Sequence, residues 1–134
     1  SFLGSIPYEQ VKHRMLESDI TVIVEGFKKK DINLSRYSLS TKAADSLASG
    51  TNIFVYGSME SGIIEYMDST NSSVVCTERE NLKKSLETLI FDKSLQKRLY
   101  DSAAEIYENN HNKEVSCKIV EKLIEKVVLE NKRR

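Results

Sequence analysis

The sequence lacks a cysteine framework: Cys76 and Cys117 are its two thiols. Each sits in a segment that reads as buried, and such usage fits a reducing, cytoplasmic setting. It also lacks an excess of either charge. Twenty basic side chains balance twenty acidic ones, so no global field draws the chain to nucleic acid. No apolar run approaches the ~20 residues needed to cross a bilayer. Histidine is scarce: His13 lies between Lys12 and Arg14, and His111 lies in an asparagine-rich turn. Neither has the neighbours of a metal centre or a catalytic triad. No repeat or low-complexity linker interrupts the chain, and its charge runs are Lys28–Lys30 and Lys132–Arg134. The chain opens Ser-Phe-Leu-Gly, without an initiator Met or a signal segment, which suggests that further sequence precedes it in the native protein.

What is present is an ordinary globular composition, 40% hydrophobic and 30% charged over 134 residues, enough for one core and one domain. Residues 1–6 read as the tail of a strand, with a strand expected near residues 2–4. Pro7 then opens a helix striped by Tyr8, Val11, Met15 and Leu16. The β-branched run Ile20–Val24 suits a buried parallel strand. Gly26 to Asn33 reads as a polar, lysine-rich loop. Ser40 to Ser49 is helical again, and Gly50 follows where a left-handed residue ends a helix without steric cost. Ile53–Tyr56 and Val74–Thr77 are two more strands, separated by a short helix bearing Ile63, Ile64 and Met67. Helices over about residues 78–130 close the chain, the last striped by Val115, Ile119, Leu123, Ile124 and Val127. This alternation predicts an α/β domain: a Rossmann-like, doubly wound parallel sheet with helices on both faces. Ligands of such sheets sit beyond the carboxyl ends of the strands, here near Gly4–Ile6, Glu25–Gly26, Tyr56–Ser58 and Thr77.

The segment from Tyr37 to Gly50 carries the most chemistry. Ser38, Ser40 and Thr41 supply small hydroxyl residues at a helix start. The free amides and the helix dipole there form an anion site that fits a diphosphate. Lys42 adds a cation, and one helical turn puts Thr41, Lys42 and Asp45 on a shared face. Asp45 is suited to accept from a ribose diol while Lys42 faces phosphates; such charge-assisted bonds contribute roughly 1.5–3 kcal/mol each. The plainer alternative is a capped helix with a Lys42–Asp45 surface ion pair contributing a few tenths of a kcal/mol.

The stretch Lys42-Ala-Ala-Asp-Ser-Leu-Ala-Ser-Gly-Thr-Asn-Ile-Phe-Val-Tyr resembles the K-x-x-E-x-L-A-x-G-x-P-[IV] segment of GT-B glycosyltransferases, especially family 4. Leu3-Gly-Ser-Ile-Pro-Tyr-Glu-Gln-Val, Ser18-Asp-Ile-Thr-Val and the helices from Glu78-Asn-Leu onward resemble flanking elements of that family, in the same order. The resemblance covers almost the whole chain. It implies the C-terminal half of a GT-B fold, incomplete at its N-terminus, which binds a nucleotide-diphosphate sugar for retaining transfer to a glycan or lipid-linked acceptor. Asp45 then takes the position of the second glutamate of the family's E-x7-E pair, on the donor ribose. Tyr37 takes that of the first, near the donor sugar, and is not a carboxylate. Ser38, Leu39, Ser40, Thr41 and Lys42 match the stretch that holds the diphosphate, and Ile6 the main chain at the nucleobase. Asn52 stands where the family often has proline.

The same resemblance implies no tightly bound cofactor or metal, since amides and cations take the leaving charge. It also implies a missing N-terminal acceptor domain, a missing Arg and Lys for the phosphates, and hence an inactive fragment. Lipid-linked acceptors would put the full enzyme at the inner face of the cell membrane, with Lys28–Lys30 toward anionic headgroups; a solvated loop is the alternative. Without leading strands the sheet is expected to expose an edge through which the fragment dimerises. Glu60 and Glu65, after Gly57, read either as donor-sugar contacts or as a solvent-facing loop and helix. A different class of function, a non-catalytic doubly wound module that binds a nucleotide or a partner, stays open. A phospho-acceptor receiver would need acidic groups at strand carboxyl ends, and Asp19 lies at the opposite edge.

Overall fold

The computed structural model describes residues 4–38 and 41–131. Three strands, β1 (Ile20–Val24), β2 (Asn52–Tyr56) and β3 (Val74–Cys76), form an all-parallel sheet in the order β1-β2-β3. Ile20 pairs with Asn52 and Val24 with Tyr56, while Phe54 pairs with Val74 and Tyr56 with Cys76. The helices among the described residues are α1 (Tyr8–Leu16), α2 (Lys29–Ser35), α3 (Thr41–Ala48), α4 (Gly62–Ser69), α5 (Leu82–Phe91), α6 (Lys93–Ile106) and α7 (Lys113–Asn131). A short 3-10 turn, Arg79–Asn81, leads into α5, and a π turn, Tyr107–His111, joins α6 to α7.

The alternation of side chains along β2 builds two cores. Ile53 and Val55 point to one face and join Ile23, Ala43, Leu47, Ile63, Ile64, Met67 and Ala103 from β1, α3, α4 and α6. Phe54 points to the other and joins Cys76, Leu89 and Leu99. A central parallel strand covered on both sides has no use for polar residues, which is why Ile53-Phe54-Val55 is uninterrupted. Among the described residues β1 is well covered on one side and, on the other, only at Ile20. Ile23 is buried, yet Val22 and Val24 remain 56% and 57% exposed, and the strand stands at the sheet edge.

Close approaches at the carboxyl end of the sheet need glycine. A Cβ on Gly57 would fall 2.8 Å from Ile64 Cδ1 and 3.0 Å from Glu25 Cβ. One on Gly62 would lie 2.8 Å from the main-chain oxygen of Arg36, which has no flexible end to yield. Gly50 follows α3 with φ +69°, the left-handed conformation expected of it.

Three expectations need correction. The lysine-rich stretch from Gly26 to Asn33 is not all loop, because α2 starts at Lys29. The amides of Asp31 and Ile32 bond to Lys28 O, and Ile32 is buried, so one apolar anchor turns a polar run into a helix. Cys76 is buried, but Cys117 is exposed on α7. The strand expected near residues 2–4 falls largely outside the described residues, and Gly4 to Pro7 carry no strand. Among the described residues no helix is long and apolar enough to cross a membrane.

Candidate functional site

The described part of helix α3 begins at Thr41; Leu39 and Ser40, where its start is expected, lie outside the described residues. Its first turn stands beside the carboxyl end of β1. The chain leaves β1 at Glu25, whose amide continues the ladder to Tyr56 O at 2.9 Å, and Gly26 then turns it away toward α2. Lys42 Nζ reaches Glu25 Oε1 at 3.0 Å, with Glu25 largely shielded and Lys42 more than half exposed. So the ion pair that forms links α3 to the sheet, in contrast to the local Lys42–Asp45 pair that helical spacing suggests.

Next to this pair opens a hollow of about 420 Å³ lined by Glu25, Gly26, Asp31, Leu34, Ser35, Ser38 and Ile63. It lies where an open parallel sheet presents ligand sites, past the ends of its strands. Ser38, the first residue of the expected diphosphate stretch, lines it. Glu25 and Asp31 line it too, and sequence reasoning had not placed Asp31 there. Two carboxylates repel an anion unless cations offset them. Lys42 offsets Glu25.

Of the described residues assigned to a donor, Ser38 lines this hollow and Asp45 another, while Ile6, Tyr37, Thr41 and Lys42 line neither. Asp45 is exposed on α3 and lines a second one, also about 420 Å³, between α1 and α3, with Glu9, Val11, Lys12, Met15, Leu16, Ala48, Ser49 and Tyr107. Tyr37 is 91% exposed, its ring 5.8 Å from the Arg36 guanidinium, a contact worth at most about 1 kcal/mol at such a site. Ile6 is half-buried just before α1, and Glu60 and Glu65 are exposed. Lys28 caps α2 and Lys29 and Lys30 form its first turn, all three exposed.

Other ionisable groups have structural partners. His13 Nε2 lies 3.1 Å from Glu17 Oε1 across one turn of α1, a carboxylate neighbour that the sequence reading overlooked. His111 Nε2 is 2.7 Å from Tyr66 Oη, tying the π turn to α4. Partial burial of that imidazole lowers its pKa from the ordinary 6.5. Among the described residues no three His, Cys, Asp or Glu side chains are grouped to hold a metal ion.

Set against protein-family models, curated proteins and solved structures, the chain has no match in any of the three.

Proposed function

We propose that this chain is the donor-binding half of a GT-B glycosyltransferase, a doubly wound, Rossmann-like domain that holds a nucleotide-diphosphate sugar for retaining hexosyl transfer. The observation that carries the reading is the meeting of the α3 N-terminus, Lys42 and Ser38 at the carboxyl end of β1, beside an open hollow. Helix amides and the Lys42 ammonium at that point suit a diphosphate. Asp45, one turn further along α3, is exposed and able to accept from a ribose diol. Ile6 belongs to the nucleobase, Tyr37 to the vicinity of the sugar, and Ser38 to Lys42 to the diphosphate. No metal enters the proposal. The acceptor half comes from a separate N-terminal domain, and the Arg and Lys for the phosphates from a loop after the first strand of this half, which precedes the present chain, so the chain alone binds donor and does not turn over. The acceptor is a glycan or a lipid-linked glycan, met by the full enzyme at the cytoplasmic face of a membrane.

A second reading is a non-catalytic module that binds a nucleotide or a partner protein. Two observations favour it: Tyr37 replaces a carboxylate, and Glu25 with Asp31 makes the hollow acidic. Calorimetric titration with uridine and guanosine diphosphates, set beside Mg²⁺ and a small phosphoryl donor, separates the two. The donor reading expects diphosphate binding that Asp45→Ala weakens by about ten- to a hundredfold, the loss of one charge-assisted bond. Asp45→Glu should retain most of the affinity. Binding of Mg²⁺ in preference to either nucleotide would favour the module.

A further inference from the structure

Helix α7 follows directly from the π turn and presents apolar side chains to solvent. Ile119, Val120, Leu123, Ile124, Val127 and Val128 are 46–59% exposed. At ~100° per residue these six fall on one half of the helix circumference. Val120, Leu123 and Val127 follow the three-four spacing of a coiled-coil seam.

Over residues 114–126 the charges bordering this face are sorted by sign, while Lys113 and Glu130, at the two ends of the helix, fall within its arc. Lys122 and Lys126 run along the border next to Ile119, and Glu114 and Glu121 along the border next to Val128. We propose that α7 pairs with α7 of a second copy of this chain, the two helices running parallel. In that arrangement the lysine border of each helix lies beside the glutamate border of the other. An antiparallel pair would set lysine against lysine and glutamate against glutamate. The area supports two copies: both faces together cover on the order of 1,200 Å², the lower bound for a specific interface. An anionic lipid surface is a poorer occupant, because it would press Glu114 and Glu121 against like charge.

The test uses the whole chain carrying Cys117→Ser, which removes the exposed thiol. Sedimentation from low micromolar to submillimolar concentration should show mass rising from one copy to two. Leu123→Glu with Val127→Glu should keep the chain monomeric throughout, with unchanged far-UV circular dichroism, since neither side chain belongs to a core. Val127→Cys should cross-link to itself under mild oxidation. A strict monomer at every concentration would overturn the proposal, as would a dimer that survives the double glutamate variant. Cross-linking between Val120→Cys and Val127→Cys chains, with none within the Val127→Cys chain alone, would overturn the parallel orientation. A monomer that binds phosphatidylserine vesicles through α7 would replace the second copy with a membrane.

Discussion

Helices α4 and α7 carry the same kind of message and meet opposite fates. Each has an apolar stripe at helical spacing. In α4, Ile63, Ile64 and Met67 are buried to 1% exposure or less between β2 and its neighbours. In α7 the corresponding side chains are about half exposed. Periodicity states which face is apolar. It does not state what covers that face, because covering depends on chain far away in sequence or on another molecule.

That contrast is open to measurement. The largest effect should come from truncating matched residues in the two helices. Ile64→Ala empties a fully buried position and should cost about 2–5 kcal/mol in urea unfolding. Leu123→Ala, at low protein concentration, should stay within about 0.5 kcal/mol. Equal losses would mean that α7 is packed in the monomer and would remove the distinction. A smaller effect should follow from Gly62→Ala at the start of α4. The new methyl would meet the Arg36 carbonyl at 2.8 Å, and the forced shift should cost about 1–3 kcal/mol. A neutral substitution there would show that the loop before α3 yields readily.

The smallest effect concerns the π turn that connects the packed body to α7. Burial lowers the pKa of His111 below its ordinary 6.5, so the fold favours the neutral ring. Its contribution is fully present above pH 6.5. As pH falls below that value the unfolded chain takes up the proton first, and stability declines until the folded pKa is passed. His111→Asn should therefore flatten part of the fall in Tm between neutral and mildly acidic pH. An identical pH profile in the variant would assign that fall to other groups.

Much of the sheet was legible because its strands are short β-branched runs bounded by polar residues. Ile20–Val24 was read to the residue, and the other two strands to within one. The end of α3 was legible from Gly50. Helix α2 was hidden because three lysines look like a solvated loop and a single buried isoleucine carries no period. The partner of Lys42 was hidden for a different reason. Asp45 is three residues away and obeys the helical rule, whereas Glu25 is seventeen residues away and is brought close by the sheet. Asp31 entered the hollow by the same route, through the tertiary position of an unforeseen helix. The burial of Cys117 was misjudged by the logic that failed for α7 as a whole.

We propose nucleoside diphosphate binding at the N-terminus of α3, in the packed half of the molecule. The direct measurement is a titration of the ¹⁵N-labelled chain with uridine and guanosine diphosphates, following backbone amide resonances. Binding there should give saturable shifts concentrated at Ser38, Thr41, Lys42 and Asp45, with Glu25 moving as its ion pair with Lys42 loosens, and α7 resonances unmoved. Spectra that stay unchanged with both nucleotides, or shifts confined to surface lysines elsewhere, would contradict it.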